Sequence, residues 1–255
     1  MPVPAIDRAL TVLEMLAASH KPLSLAEISR NLGVNRSSAH YIMGTLEARG
    51  YVQRGALRGN YSIAAKLFGL ANVSLTGLEI RSRAAPHLRK LVERISLTVH
   101  LTILSAHEAV IVDRVAAPSC RSIPTWIGKR MPIHCTGAGK ALLAWAPSDR
   151  VDACVQRGFV RYNDNTIVPA PRFRQELAAV RARGYSLDDE EETIGLRCIG
   201  APVLGPDGHS VAAVSVSGTT TEIDEGRLER LAKEVVRAAV AITASDGDRI
   251  GQELL

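Results

Sequence analysis

The sequence is poor in features that mark several classes of protein. Aromatic residues make up only 4% of its 255 residues, which argues against an aromatic stacking platform for single-stranded nucleic acid. No apolar run approaches the roughly 18 residues that a membrane-spanning helix needs, and residues 1–10 lack the basic start and apolar core of a signal peptide. We therefore expect a cytoplasmic protein that does not act at a membrane.

Cysteine is scarce, and its spacing matches no metal site. There is no CxxC pair among the four cysteines, so we expect reduced thiols and no zinc site. His134 and Cys135 are adjacent, and their side chains would diverge on a strand, which favours ordinary core residues over metal ligands. The four cysteines are Cys120, Cys135, Cys154 and Cys198.

The sequence also lacks common catalytic motifs. It contains no Gly-x-Ser-x-Gly nucleophile elbow. The GAGK stretch at 137–140 is not a Walker loop, because His134 stands where that loop needs glycine and Ala141 replaces its Ser or Thr. Two interpretations stay open for GAGK: a helix start whose N–H groups attract a carboxylate as readily as a phosphate, or a tight turn needed only for packing. We expect no enzyme activity and no cofactor.

The sequence does have enough apolar material for two domains. Hydrophobic residues reach 46%, and the formal net charge of +5 is compatible with an acidic polymer as partner. The first part has helical periodicity, and from Leu97 onward the apolar pattern alternates with a period of two. We expect an N-terminal domain over 1–63, a linker helix over 64–78 and a second domain over 79–255.

Segment 23–61 has the pattern of helix, tight turn, helix and hairpin. Ser24 and Glu27 are spaced as a capping box, Gly33 stands where a left-handed residue ends a helix, and Asn35 can cap a second helix from Arg36. A helix held across another by a short Gly turn fits the DNA major groove, and the basic hairpin after it has the form of a wing. The alternative is a helical hairpin used only for packing, with solvated arginines.

Candidate DNA-contacting residues lie on the polar surfaces of this segment. The outer face of the second helix carries small donors, an imidazole and an aromatic ring without any acid, and arginines on the wing suit phosphate contacts. The partner that we expect is double-stranded DNA. The candidates are Ser24, Asn35, Arg36, Ser37, Ser38, His40, Tyr41, Thr45, Arg49, Arg54 and Arg58.

Three further helices flank this segment. Residues 5–18 carry an apolar stripe that we expect to complete a three-helix core, formed by Ile6, Leu10, Leu13 and Leu16. The linker helix is so apolar that we expect it to be buried, either against the second domain or against the same helix of another subunit. The helix after it, 78–95, contains Pro86, where a kink or a restart is expected.

The second domain is predicted to be an antiparallel sheet with helices, an α+β fold. Ser215 and Ser217 lie two residues apart in an apolar strand and so share one face. Their hydroxyl groups either line a pocket or have only a packing role. The acid run 188–192 has the composition of a solvated loop, although one member can turn inward. Strands are predicted at 98–104, 109–115, 122–127, 185–187, 197–204 and 210–217, and helices at 137–146, 149–157, 173–183 and 223–244.

These motifs, in this order, resemble the IclR family of bacterial transcriptional regulators. The winged helix-turn-helix matches at RAL (8–10), LSLAEISRNLGV (23–34) and LEARGYV (46–52). The second domain matches at MPIHCTGAGKALLA (131–144), RARGYSLDDEE (181–191), GLRCIGAPV (195–203) and AVSVSG (213–218). The resemblance implies a GAF-like second domain that binds a small effector, often an organic or aromatic acid. It also implies a homodimer or tetramer paired through the N-terminal domains and linker helices.

Carried over by position, the resemblance implies an effector pocket that combines helix-start N–H donors, hydroxyls, a thiol and apolar walls. Trp126 and His134 are additional wall candidates. An ionised Asp188 would repel a carboxylate, so we expect Asp188 to accept hydrogen bonds from a ligand hydroxyl or from backbone N–H groups. The pocket set is Ile123, Met131, Gly137, Ala138, Asp188, Leu196, Cys198, Ser215 and Ser217.

Three functions are consistent with these features of the sequence. The first, which the resemblance favours, is a transcriptional regulator whose DNA binding responds to a ligand. The second is an enzyme built on the second domain, against which stands the lack of a nucleophile and base at recognisable spacing. The third is a DNA-binding scaffold without a ligand.

Overall fold

The computed structural model describes residues 2–19, 21–55, 59–76, 78–118 and 123–250. The chain divides into two compact units, Met1–Gly77 and Leu78–Leu255. Each unit contains its own cluster of buried apolar side chains. The two are therefore described in turn.

The first unit consists of helices and a small antiparallel sheet. Its elements are α1 (Pro4–Ser19), β1 (Leu23–Ser24), α2 (Leu25–Leu32), α3 (Arg36–Ala48), β2 (Val52–Arg54), β3 (Asn60–Ile63) and α4 (Lys66–Thr76). The three strands lie in the order β1-β3-β2, with Leu23 opposite Tyr61. The sequence pattern does not predict β1, because a strand of two residues carries no alternation.

The local signals of the helix-turn-helix are confirmed. Ser24 N donates to Glu27 Oε2 at 2.8 Å and Ser24 Oγ accepts from Glu27 N at 3.3 Å, which completes the capping box. Gly33 ends α2 in the left-handed region, with a φ of 63°. Asn35 Oδ1 accepts from Ser38 N at 2.8 Å and so caps α3. The wing is present as the β2–β3 hairpin, and its tip, residues 56–58, lies outside the described residues.

The apolar stripe of α1 does not lie where the sequence pattern places it. Val12 is fully buried and Leu16 is 5% exposed, whereas Ile6 and Leu10 are 60% and 55% exposed. The expectation that Ile6 and Leu10 close the core is therefore wrong. The physical reason is that α1 has two apolar faces. Val12 and Leu16 belong to the buried cluster with Ile28 and Met43, whereas Ile6 and Leu10 line a groove beside α3 that stays open to solvent.

The second unit is an antiparallel six-stranded sheet with helices. Its strands are β4 (Thr98–Ser105), β5 (Glu108–Val115), β6 (Arg130–Met131), β7 (Ser186–Asp189), β8 (Leu196–Leu204) and β9 (Ser210–Thr219). They lie in the order β6-β5-β4-β9-β8-β7. Its helices are α5 (Glu79–Ile95), α6 (Gly137–Ala144), α7 (Ser148–Gln156), α8 (Ala170–Arg183) and α9 (Glu225–Ile250). The predicted α+β class is confirmed.

Helices cover both faces of this sheet. Ala213 of β9 lies in one apolar cluster with Leu142 of α6 and Phe173 of α8. Val214 and Val216 point to the opposite face of β9 and are fully buried as well, on the side where α5 and α9 pack together and against the sheet. Ser215 and Ser217 therefore belong to the face that α6 covers.

One sequence prediction for the second unit is wrong, and of the two possibilities expected at Pro86 only the restart is ruled out. Residues 123–127 form no strand, since Thr125 N bonds to Ile123 O at 2.7 Å and Gly128 adopts a left-handed φ of 91°, so the segment turns. The strand that pairs with β5 on the side away from β4 is β6, which begins at Arg130. The helix does not restart at Pro86, because α5 runs through it with Ala84 and Leu88 buried on either side. Within the described part of the chain, no helix has both the length and the apolar character that a bilayer crossing requires.

Candidate functional site

The nine residues predicted to contact an effector all line one cavity in the second unit. They come from β6, β7, β8 and β9, from the start of α6 and, for Ile123, from the turn before β6. The cavity has a volume of about 80 Å³. A molecule that fills it is small.

Strand register explains how three of these side chains meet. Asp188 of β7 lies opposite Cys198 of β8, and Cys198 lies opposite Ser217 of β9. The three form one row across the sheet, with Cys198 Sγ at 3.1 Å from Ser217 Oγ. Ser215, two residues before Ser217, lies opposite His100 of β4 on the same face. The floor of the cavity is therefore polar.

The start of α6 closes the cavity from above this floor. Thr136 caps the helix, with its Oγ1 accepting from Gly139 N at 3.2 Å. A Cβ on Gly137 would lie 3.0 Å from the Cys198 carbonyl oxygen, and one on Gly139 would lie 2.4 Å from Ile133 Cα. Gly137 therefore allows α6 to approach β8 closely, and Gly139 allows the helix to lie against the segment that precedes it, which supports the packing interpretation of GAGK. The same approach places the positive end of the helix beside the cavity, where it favours an anion.

Seven further residues line the cavity that sequence reasoning missed. Lys129 and Glu192 bring charge, and Thr136 and Thr193 bring hydroxyls. Lys129 follows the left-handed Gly128, two residues beyond the end of the predicted strand 122–127. The direction of its side chain is therefore set by the turn. The seven are His100, Pro124, Thr125, Lys129, Thr136, Glu192 and Thr193.

The carboxyl group of Asp188 is held away from water. It is 2% exposed, and burial raises its pKa to about 7. Its Oδ1 accepts from Glu191 N at 2.9 Å, as expected of an inward-turned acid. Burial likewise raises the pKa of Glu192, against the opposing charge of Lys129. From the sequence, Asp188 is expected to be ionised. In the structure burial makes its neutral form abundant near pH 7. A neutral carboxyl group does not repel an anion.

The imidazole and thiol of the cavity are both uncharged at neutral pH. Burial, and then the charge of Arg114, lower the pKa of His100 to about 3. His100 Nε2 lies 2.9 Å from Thr125 Oγ1, which also accepts from Arg114 Nε at 3.1 Å. Burial raises the pKa of the Cys198 thiol well above its ordinary value, and a protonated thiol is a poor nucleophile. These groups suit binding more than chemistry.

The two additional wall candidates lie elsewhere. His134 stacks on Phe159 with ring centroids 4.6 Å apart, and its Nε2 lies 2.9 Å from Val160 O. Trp126 is 44% exposed, with Lys129 Nζ 5.3 Å from the centroid of its ring. Neither residue is among those that line the cavity.

The outer face of α3 is exposed at its first turn. Ala39 and Met43 are fully buried, so the helix turns Arg36, Ser37 and His40 to solvent. The remaining polar candidates have other contacts. Ser24 and Asn35 cap the N-termini of α2 and α3. Ser38 is half-buried, and Arg49, at the C-terminal end of α3, is exposed.

Two further candidates on α3 are exposed and lie beside α1. Tyr41 and Thr45 line an apolar groove of the first unit. Tyr41 is 77% exposed there. Large exposed apolar patches mark interaction surfaces. We call this surface the α1–α3 groove; its lining is Ala5, Ile6, Ala9, Leu10, Leu13, Tyr41, Ile42, Thr45, Leu46 and Tyr51.

The wing arginine that the structure describes is partly engaged. Arg54 Nε pairs with Glu47 Oε1 of α3 at 2.9 Å, and its guanidinium lies 5.6 Å from the centroid of the Tyr61 ring. Its side chain is still 56% exposed. Arg58 lies outside the described residues.

Comparison with known proteins extends these observations to the whole chain. Two family models match, the IclR helix-turn-helix domain over residues 5–56 and the bacterial transcriptional regulator IclR C-terminal over residues 72–244. The transcriptional repressor IclR of Escherichia coli K12 is 32% identical over 248 residues, which cover 96% of this chain and 90% of the repressor. The regulator BhcR of Paracoccus denitrificans Pd 1222 is 33% identical over 92% of this chain and 84% of its own.

Solved structures of similar proteins have the same fold. The Thermotoga maritima IclR has a TM-score of 0.77 at 28% identity, over 94% of this chain and 97% of that one. An IclR homologue from Microbacterium hydrocarbonoxydans, complexed with 4-hydroxybenzoate, has a TM-score of 0.81 at 22% identity, over 94% and 98%. The second likeness concerns the fold alone. With a C-terminal match over most of the chain and relatives above 30% identity, this chain belongs to the IclR family of bacterial transcriptional regulators.

Proposed function

We propose that this protein regulates transcription by binding operator DNA, and that a small organic acid in the cavity of the second unit controls that binding. The observation that carries the proposal is the convergence of all nine predicted residues on one cavity. They come from segments far apart in the sequence, and residues chosen wrongly would be scattered. In this proposal the protein acts in the bacterial cytoplasm, where the operator is.

The lining of the cavity favours an acid with a hydroxyl group. The start of α6, Lys129 and the serine hydroxyls of β9 supply positive potential and donors for a carboxylate. Met131 and Leu196 supply walls for a hydrocarbon or ring. A hydroxyl beside Asp188 has a partner whether that carboxyl is protonated or ionised. The homologue complexed with 4-hydroxybenzoate makes this compound a reasonable first probe.

DNA contacts are proposed for the exposed start of α3 and for the wing. Arg36, Ser37 and His40 have the exposure and donor chemistry for base edges and phosphates. Arg54 contacts phosphate in this proposal. Ligand binding changes DNA affinity only if the ligand prefers one of two arrangements of the protein, since equal affinity for both shifts nothing.

The working unit is proposed to be a homodimer or a dimer of dimers. The α1–α3 groove leaves Leu10 more than half exposed, and on α4 Phe68 and Val73 are 74% and 72% exposed. A second copy would cover these side chains. A two-fold dimer binds an inverted repeat, because its symmetry is mirrored in the operator.

The proposal is tested with DNA and acids in one assay. Full-length protein selects fragments from the genome that encodes it, and fluorescence anisotropy then measures affinity for the enriched fragment with and without each acid. We expect an inverted-repeat site and at least a tenfold change in affinity with one hydroxy acid. Matched pairs such as 4-hydroxybenzoate and benzoate isolate the hydroxyl group.

Other outcomes separate the alternatives. A specific DNA site whose affinity no acid changes would favour a DNA-binding scaffold. Conversion of the acid during incubation, followed by NMR, would favour an enzyme. Absence of any selected DNA site would overturn the regulator proposal itself.

A further inference from the structure

Lys140 is a fully buried cation beside the cavity that does not line it. It lies on α6, three residues after Gly137, and is 0% exposed. Its Nζ donates to Glu176 Oε1 of α8 at 3.2 Å, to the Leu187 carbonyl oxygen of β7 and to Glu191 Oε1. Three acceptors use the three N–H bonds of the ammonium group. The side chain therefore joins three separate parts of the second unit.

Such an ion pair is poor evidence of added stability. Burying two charges carries a large desolvation penalty, and apolar replacements of a buried pair are often neutral or stabilising. Retaining a lysine here, in an otherwise apolar helix with Ala141, Leu142 and Leu143 fully buried, calls for a role in specifying geometry. The geometry in question is that of Glu191.

Glu191 is held at every backbone polar group. Its N–H donates to Asp188 Oδ1 at 2.9 Å. Its carbonyl oxygen accepts from Thr166 Oγ1 at 2.7 Å and from Asn163 Nδ2 at 3.3 Å. With Lys140 on its side chain, Glu191 anchors segment 188–196, which carries four cavity residues: Asp188, Glu192, Thr193 and Leu196.

The charges around Lys140 alternate. Arg183 pairs with Glu176 at 2.8 Å, Glu176 pairs with Lys140, and Lys140 pairs with Glu191. Asp188, His134 and Cys135 also feel the charge of Lys140. Lys140 compensates the charge of Glu191. Asp188 and Glu192 are the acids of segment 188–196 that line the cavity.

We propose that Lys140 is a positioning residue of the cavity: its ammonium group holds segment 188–196, and with it Asp188 and Glu192, against the start of α6. The effector role of the cavity rests on the proposed function, but the positioning role does not need a ligand. A measurement on the unliganded protein therefore tests the positioning role of Lys140 even if the proposed effector role of the cavity is wrong.

The first test is hydrogen exchange on the full-length protein without ligand. We expect Lys140→Met to lower the protection factors of amides in 188–196 at least tenfold, while strands β4 and β9 keep theirs. Lys233→Met, at an exposed lysine of the same unit, is the control and should change nothing in this segment. Unchanged protection of 188–196 in a folded Lys140→Met protein would overturn the proposal.

The second test distinguishes charge from packing. In Lys140→Met the buried Glu191 has no cation, so its ionised form draws the segment toward water and its protonated form does not. The loss of protection should be large at pH 8 and small at pH 5.5. At pH 8 the double variant Lys140→Met, Glu191→Gln should lose little protection relative to Glu191→Gln alone. Both proteins are measured at one pH, so the titration of Asp188 affects both. Equal loss at both pH values, without rescue by Glu191→Gln, would mean that Lys140 only fills space.

A third variant covers failure to fold. If Lys140→Met does not yield folded protein, Glu191→Gln alone leaves Lys140 paired with Glu176 and weakens only the link to the segment. We expect at least a threefold loss of protection confined to 188–196. Protection equal to that of the unsubstituted protein would overturn the proposal.

Discussion

Replacing Asp188 by asparagine should stabilise the second unit at alkaline pH. Asp188 is 2% exposed, and burial raises its pKa from the ordinary 3.8 to about 7. Asparagine has nearly the same shape and carries no charge. Its Oδ1 can still accept from Glu191 N, the bond that Asp188 makes at 2.9 Å. The substitution therefore imitates the protonated carboxyl at every pH.

The sign follows from proton linkage. Because the folded pKa lies above the unfolded one, the folded protein binds the Asp188 proton more tightly between about pH 4 and 7. The free energy of unfolding therefore falls as pH rises through that window and stays level above it. The two pKa values of Asp188 correspond to a loss of about 4 kcal/mol. Asp188→Asn should match the unsubstituted protein at pH 4 and exceed it by about that amount at pH 8.

The assay is urea unfolding of the full-length protein followed by tryptophan fluorescence at pH 4.5, 6, 7 and 8. Both tryptophans of the chain, Trp126 and Trp145, belong to the second unit, so the signal reports that unit alone. Asp189→Asn is the matched control. Asp189 is adjacent, but its side chain is 51% exposed and pairs with Arg197 at 2.6 Å, so its loss should cost at most about 1 kcal/mol.

One result would refute the reasoning. If the stability difference between Asp188→Asn and the unsubstituted protein is the same at pH 4.5 and pH 8, Asp188 does not titrate in this window. The same preference for protonated Asp188 predicts how ligand affinity depends on pH. A carboxylate ligand beside Asp188 favours the protonated form, so its affinity should rise as pH falls through 7 and should lose this dependence in Asp188→Asn.

Three further predictions concern contacts with DNA, copies and ligand. Arg54→Ala should weaken binding to all DNA sequences and flatten the plot of log affinity against log salt by about one unit of slope, since one phosphate contact is lost. Leu10→Asp should place a charge in the exposed apolar α1–α3 groove and yield a monomer in sedimentation velocity at micromolar concentration. The double variant Ser215→Ala, Ser217→Ala should bind the effective acid about tenfold more weakly in calorimetry, because two hydroxyl donors are removed.

Each of these has a contrary outcome. An unchanged salt slope would remove Arg54 from the phosphate contacts. A Leu10→Asp protein that sediments like the unsubstituted one would place the subunit contact elsewhere. Equal affinity of the serine double variant for the acid would place the effector outside the cavity and leave the regulator proposal intact.

The sequence predicts best where a contact spans three or four residues. The Ser24–Glu27 capping box, the left-handed Gly33 and the Asn35 cap all form as expected, because their partners are fixed by helix geometry. It predicts less well where a face must be matched to a partner. Periodicity identifies the apolar stripe of α1, yet it does not say that Val12 and Leu16 meet the core while Ile6 and Leu10 stay exposed.

Irregular segments are the second place where sequence reasoning fails. Residues 123–127 alternate enough to suggest a strand, but Pro124 and Gly128 lie in a turn that leads to β6. Lys129 enters the cavity because of that turn. A side chain directed by a turn has no periodic signal, so neither its position nor its charge in the cavity can be predicted from alternation.

The chain carries most of its secondary structure, its family membership and the identity of nine cavity residues in its linear order. Alternation alone puts Ser215 and Ser217 on one face. Only the strand order β4-β9-β8-β7 brings Asp188, Cys198 and Ser217 into one row. The protonation of Asp188 and His100 is set mainly by burial and, for His100, also by the charge of Arg114, and both depend on the folded domain. The reason is that side-chain direction depends on the local backbone, whereas neighbours across a sheet and distance from water depend on how the whole domain closes.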